Sequence, residues 1–390
     1  MVEFDPTKTG YQLNIDQKYY NSLDILSFTQ MMKAPSYCYK FYWLEAIVNL
    51  IVDDVVDTTF DAVIDEMIAN AWYSVVEFHI HLSGVIGGDV RDGLERAVVK
   101  LHKLSKVSSN ASKVEIKNAI KQYNKEISDE KKQLTNMVPY RALAGFFHES
   151  GQTPDWGSAR RMVAYIEMIN KNHVLLPYTL GESSKLNKEI HFNSAWMQMI
   201  IDNNIAIRGW IQYEKIKWLQ MNNPEMPGLV YKMDQLDNKM RKLSNVRNLW
   251  EAILNVTTIN DVFTGNEIVK GDYDVDHFIP WSFVMNDELW NLMPMDSSLN
   301  SSKSNRLPKW EPFFATFAKN QYDLYLAIHE KEGIHRLYEK CYRDNLHTIW
   351  ANQELYREGN SRETFITILD QNMHPVYDSA RRQGYEIWDY

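Results

Sequence analysis

Cysteine is almost missing from this chain. Cys38 and Cys341 are the two it has, far apart and unaccompanied. They cannot form a zinc knuckle by themselves, a structural disulfide between them is not expected, and a reducing cytoplasm fits best. Long apolar runs are missing too, and none reaches the ~18 residues that a membrane span needs. The N-terminus, Met1-Val-Glu-Phe-Asp-Pro6, lacks the basic start and apolar stretch of a secretion signal. There is no internal repeat and no low-complexity tract. Positive charge is in deficit: 42 Lys and Arg stand against 51 Asp and Glu, a formal net charge of -9. That argues against a protein that coats nucleic acid non-specifically, although a local basic patch could still hold phosphate.

Hydrophobic residues make up 45% and aromatics 13%, a globular composition, and 390 residues suffice for two or three cores. Helical spacing dominates the first two thirds. Phe41, Leu44, Val48 and Ile51 recur with that period, as do Phe60, Ile64, Met67, Ile68, Ala71 and Val75, with Thr58 or Thr59 as cap. Gly84 to Gly88 lacks the lysine and Ser/Thr of a phosphate loop and is a turn. Ser112 and Glu115 form a capping box that opens a helix predicted to run to about Leu134. An irregular connection follows at 138–154. Helices are predicted again at 158–172, at 194–221 up to the break Asn223-Pro-Glu-Met-Pro-Gly228, and at 234–254. After Pro312 the tail returns to helix, with Phe313, Phe317 and Leu324 and then Leu337, Cys341 and Leu346. The predicted fold is mostly α: a helical region over 1–254 with a sub-boundary near 138–157, a small αβ unit over 255–312, and a helical tail over 313–390.

Chemistry concentrates in that small unit. Val262 to Lys270 is predicted to be a hairpin turning at Gly265-Asn266. Tyr273 to His277 is a strand that ends on Asp276-His277, stopped by Pro280. Asn286 to Trp290 is a loop, Asn291 to Met295 a return strand, and Asp296 the cap of a helix bearing Asn300 and Lys303. A histidine beside a carboxylate, two asparagines and a lysine can hold one hard metal ion against a phosphate and activate a water next to it. Histidine accepts a proton near neutral pH. Oxygen ligands with retained waters suit Mg²⁺ or Mn²⁺.

This stretch resembles an HNH nuclease domain of the ββα-metal class, and in particular the HNH domain of type II CRISPR RNA-guided effectors. The shared features are Tyr273-Asp-Val-Asp-His277 before a proline and Ser282-Phe283, the mid-loop Asn291, and Asn300 followed by Lys303-Ser304 and Leu307-Pro308. The resemblance implies a general base at His277, metal ligands at Asp276 and Asn300, a loop-steadying role for Asn291, and an outer or alternative ligand at Asp274. It also implies a lysine near phosphate at Lys303, beside which Arg306 and Lys309 are further phosphate candidates. Val262 to Gly265 stand where many HNH domains carry a Cys-x-x-Cys knuckle, so no structural zinc is expected and hydrophobic packing must do that job. The flanks, through Tyr37 to Leu44, Trp72 and Asn223 to Pro227, resemble bacterial proteins with a C-terminal HNH unit found among defence and restriction genes.

The resemblance makes DNA, most readily duplex DNA, the implied substrate. It leaves open a protein partner of the helical region and a homo-oligomer. Two rivals stand beside this reading: a nucleic-acid-binding protein whose HNH unit is only a scaffold, and an effector subunit of a nucleic-acid-guided complex. The intact Asp276, His277, Asn291 and Asn300 set opposes the first. The second lacks another nuclease domain and an arginine-rich guide-binding helix. Lys113, Lys117, Lys121 and Lys125 recur every four residues and are predicted to form a ridge that contacts either solvent or a phosphate backbone. Lys239 to Lys242 and Arg160-Arg161 are solvated clusters on the same argument. No other histidine has metal-ligand spacing, although His79 and His81 would share a face if their segment were a strand.

Overall fold

Helices dominate the computed structural model, which describes residues 13–32, 37–83, 92–136, 138–147, 158–171, 175–233 and 241–390. The chain divides into two units, Met1–Pro224 and Glu225–Tyr390. The division falls ahead of the helix Ser244–Ile253, which therefore belongs with the small αβ unit rather than with the helical region before it.

In the first unit the helix Tyr39–Val52 buries residues on nearly every side, from Phe41 to Ile51. Such a helix needs a surrounded position. The helices Phe60–Phe78, Ser194–Asp202 and Asn204–Asn222 pack around it. The Thr59 hydroxyl caps Phe60–Phe78 by accepting from the Ala62 N–H, and the expected stripe from Phe60 to Val75 faces inward. The Ser112–Glu115 capping box forms in both directions. The helix it opens stops at Gln122, however, and a second one runs Ser128–Leu134. The break lets Ile127 and Lys131 turn fully inward, and Lys131 Nζ meets Asp61 at 2.6 Å and Asp65 at 2.5 Å. The helix expected over 194–221 breaks at Asn203, whose side chain instead donates to the Met199 carbonyl at 2.9 Å.

This packing gives two lysines of the expected ridge a partner within the protein. Lys113 and Lys117 both pair with the buried Glu66, the second at 2.7 Å. Burial opposes the Glu66 charge, but the two lysines and Asn49 outweigh it and hold its pKa below the ordinary range. Lys125 falls in the turn beyond the helix, so with Lys113, Lys117 and Lys121 it forms no single row for phosphate.

A three-stranded antiparallel sheet joins the helices, with β1 at Asp57–Thr59, β2 at Tyr178–Leu180, β3 at Glu189–Phe192 and β3 in the middle. His79 and His81 share no strand face. His79 is the left-handed C-cap of Phe60–Phe78, and His81 Nδ1 lies 3.0 Å from Glu95. The Gly84–Gly88 turn, His148, His173 and the start of the helix expected from 234 lie outside the described residues.

The second unit holds the short strands β4, Asp274–His277, and β5, Leu292–Met295, in antiparallel register. The helix Trp310–Glu330 backs β5: Gln321 Nε2 donates to the Leu292 carbonyl at 2.7 Å, and Phe317 lies 4.6 Å from Phe278. The expected hairpin is reduced to one bridge, Asn260 to Glu267, with Gly265 at φ +72° where a side chain would be strained. Two devices occupy the place of a metal knuckle. Phe263 packs on Phe313 and Trp388, each at 5.0 Å. The buried Asp261 carboxylate accepts from the N–H groups of Phe263, Thr264 and Asp296. Asp261→Ala leaves these donors without a partner and is expected to cost about 3 kcal/mol, read as a lowered urea midpoint. An unchanged midpoint would mean that the aromatic cluster holds the turn by itself.

Candidate active site

Strand alternation splits β4 into two faces. Asp274 is 40% exposed and Asp276 17%, whereas Val275 and His277 are buried. The helix Ser297–Lys303 lies against the carboxylate face. It starts where it was predicted to, with the Asp296 carboxylate accepting from the Ser298 and Leu299 N–H groups. Two residues on a strand advance about 6.6 Å and three on a helix about 4.5 Å, so one helix face can serve both carboxylates. Asn300 Nδ2 donates to Asp274 Oδ2 at 3.2 Å, and Lys303 Nζ donates to Asp276 Oδ2 at 2.8 Å.

These pairings differ from those expected. Asn300 meets Asp274 rather than Asp276. Lys303 is wholly buried, and its remaining reach goes to the His277 carbonyl at 2.7 Å. A sealed ammonium is not a phosphate contact; it braces the strand and one oxygen of Asp276. Arg306 is turned back onto the carbonyls of Ser302 and Lys303 at the end of the helix, and Lys309 pairs with Asp389 at 3.0 Å.

On the other face His277 is 1% exposed. Its Nε2 lies 3.1 Å from the Asn286 carbonyl and 3.2 Å from Asp287 Oδ1, both acceptors. Its Nδ1 lies 3.4 Å from Arg241 Nη2, which can only donate. The partners thus assign the proton to Nε2 and leave the lone pair on Nδ1, the arrangement a general base needs. Burial opposes the charge on Asp287, but His277, Arg241 and the Lys242 N–H outweigh it and bring its pKa below the ordinary carboxylate value. Asn291 is fully buried and clamps the chain after the histidine. Its amide accepts from the Ile279 N–H and donates to the Ile279 carbonyl, both at 2.8 Å.

Three side chains here escaped the reading of the sequence. Asp287 sits in the loop Asn286 to Trp290, where an acidic residue looks like ordinary loop composition. Arg241 belongs by sequence to a solvated cluster, yet it touches His277, lies 3.5 Å from Asp287 and covers the Trp281 ring at 5.4 Å. Arg247, on the helix Ser244–Ile253, donates to the Tyr273 carbonyl at 3.1 Å and approaches Asp274 at 3.7 Å.

A divalent ion would have to be held by oxygen. Among the described residues no three His, Cys, Asp or Glu side chains are grouped as a metal site. An ion that keeps its waters needs only one or two carboxylates, however, with phosphate completing the shell. Asp274, Asp276 and the amide oxygen of Asn300 are oxygen donors drawn to one face of β4 by the helix, and this donor set suits a hard ion.

Residues 261–309 match the HNH endonuclease family, and the match runs from Asp261 through the helix with Asn300 and Lys303 to Lys309. The chain therefore carries an HNH domain. No curated protein matches the chain significantly, and no solved structure does.

Proposed function

We propose that the protein is a divalent-metal-dependent endonuclease that hydrolyses phosphodiester bonds of duplex DNA. The observation that carries this reading is the His277 imidazole, fixed through Nε2 with Nδ1 left as acceptor, one residue from a carboxylate that faces the Asn300 helix. His277 Nδ1 takes a proton from water as its oxygen bonds to phosphorus; the bond from phosphorus to the 3′ oxygen breaks, and that oxygen leaves to be protonated by solvent. Asp276 and Asn300 would hold the ion, Mg²⁺ or Mn²⁺, with Asp274 as a further oxygen. Once bound, such an ion neutralises charge on the phosphate and on the leaving oxygen. Asn291 keeps residues 278–279 in place behind the base. A role in bacterial restriction or defence in the cytoplasm rests on the resemblance of the flanks alone.

The test uses Asp276→Asn, which keeps an oxygen for Lys303, and Asn300→Ala. Both should require more Mn²⁺ for half-maximal cleavage of closed circular DNA and should cut more slowly than the wild type at saturation. Wild-type metal dependence in both variants would remove them as ligands.

A further inference from the structure

The cationic side chains of the matched region that were expected to meet phosphate each have another partner. Lys303 is sealed, Arg306 closes its own helix, and Lys309 is paired at the surface. Yet the site gathers Asp274, Asp276 and Asp287, and a polyanion approaching three carboxylates needs positive charge nearby. Among the described residues, two exposed cationic side chains contact this set, and both come from the segment before the matched family region. Arg241 is 35% exposed and Arg247 45% exposed.

Each guanidinium is oriented by the protein. Arg241 lies over the Trp281 ring with Nε toward Asp287, which directs its terminal nitrogens toward His277. Arg247 lies over the Tyr273 ring at 5.4 Å and is held by the Tyr273 carbonyl, which sets it beside Asp274. A guanidinium fixed by an aromatic face and an acceptor is prepared for bidentate phosphate contact, as a flexible lysine is not. Their contacts, Asp274 and His277, lie on opposite faces of β4 and three residues apart along it, roughly 10 Å, so a strand that meets both runs along the edge of β4 not paired with β5. A nucleic-acid strand carries one charge per ~3.4 Å of axis, so that distance covers the scissile phosphate and its neighbours.

Resting on the nuclease reading above, we propose that Arg241 and Arg247 are the phosphate-binding pair of the site, one at each end of β4. Arg241 then does a second thing. In the free protein it covers the His277 Nδ1 lone pair; on taking phosphate it leaves that nitrogen, so substrate binding uncovers the base.

The experiment is equilibrium binding of a labelled duplex to the full chain in chelator, where cleavage is off, across a salt series. Arg241→Ala and Arg247→Ala should each lower affinity about tenfold and reduce the salt slope by about 0.9. Arg241→Lys should recover the slope and not the full affinity. Arg336→Ala, at a surface arginine paired with Glu332, carries the same charge change and should leave the slope unchanged. Thermal melting of each variant checks the fold. If the wild type binds with a clear salt slope and both alanine variants match it, the arginine assignment is overturned and the nuclease reading stands. If the Arg336 variant falls as far as the others, net charge alone explains the effect and the assignment is again overturned. If the wild type shows no salt-dependent binding to DNA, both readings fall.

Discussion

His277→Ala is expected to cut DNA about 10² to 10⁴ times more slowly than the wild type while keeping its fold and its binding to duplex DNA. The imidazole is the group at the end of β4 with an unprotonated nitrogen, and the Asn286 carbonyl keeps that nitrogen from being the other one. Alanine removes the acceptor and spares Asp274, Asp276 and Asn300 on the opposite face. Single-turnover cleavage with saturating enzyme isolates the chemical step. A variant that cuts at the wild-type rate would move the base elsewhere.

The second large effect is on folding. Lys303 is a buried cation whose charge is met by Asp276, and it also donates to the His277 carbonyl. Lys303→Ala leaves a carboxylate without its counter-charge in a largely closed place, and such a loss costs about 3–5 kcal/mol. The thermal midpoint should fall by many degrees, and cleavage should fall with it because β4 loses its brace. A lysine that only touched phosphate would behave otherwise: its loss would weaken DNA binding and leave the melting temperature alone. The two outcomes separate cleanly in one melting curve with a binding titration beside it. An unchanged midpoint would show that Lys303 does not brace the strand.

Much of this was legible in the sequence, where the signal is local. The helices Tyr39–Val52 and Phe60–Phe78 follow from apolar spacing, and the caps at Thr59, Ser112 and Asp296 follow from side chains two to three residues from the N–H groups they satisfy. The strand ending at His277, the return strand and the helix with Asn300 follow from the motif and its spacing. The small sheet β1–β3 was not legible, because strands of three or four residues are too short to show alternation. The break after Gln122 depends on where Ile127 and Lys131 are buried, which is a tertiary matter. The same holds at the site. Nothing local says that Lys303 turns inward, that Asn300 chooses Asp274 over Asp276, or that Arg241 and Asp287 converge on His277 from outside the strand.

A working metal-dependent nuclease must cut DNA only when its ion is present. The most direct measurement incubates the purified chain with closed circular DNA in Mg²⁺, in Mn²⁺ and in excess chelator, beside the His277→Ala variant. A metal-dependent nuclease that uses His277 should give nicked or linear DNA with either ion, intact circles in chelator, and intact circles with the variant. Circles left whole by the wild type under every condition, or cut equally well in chelator, would contradict it.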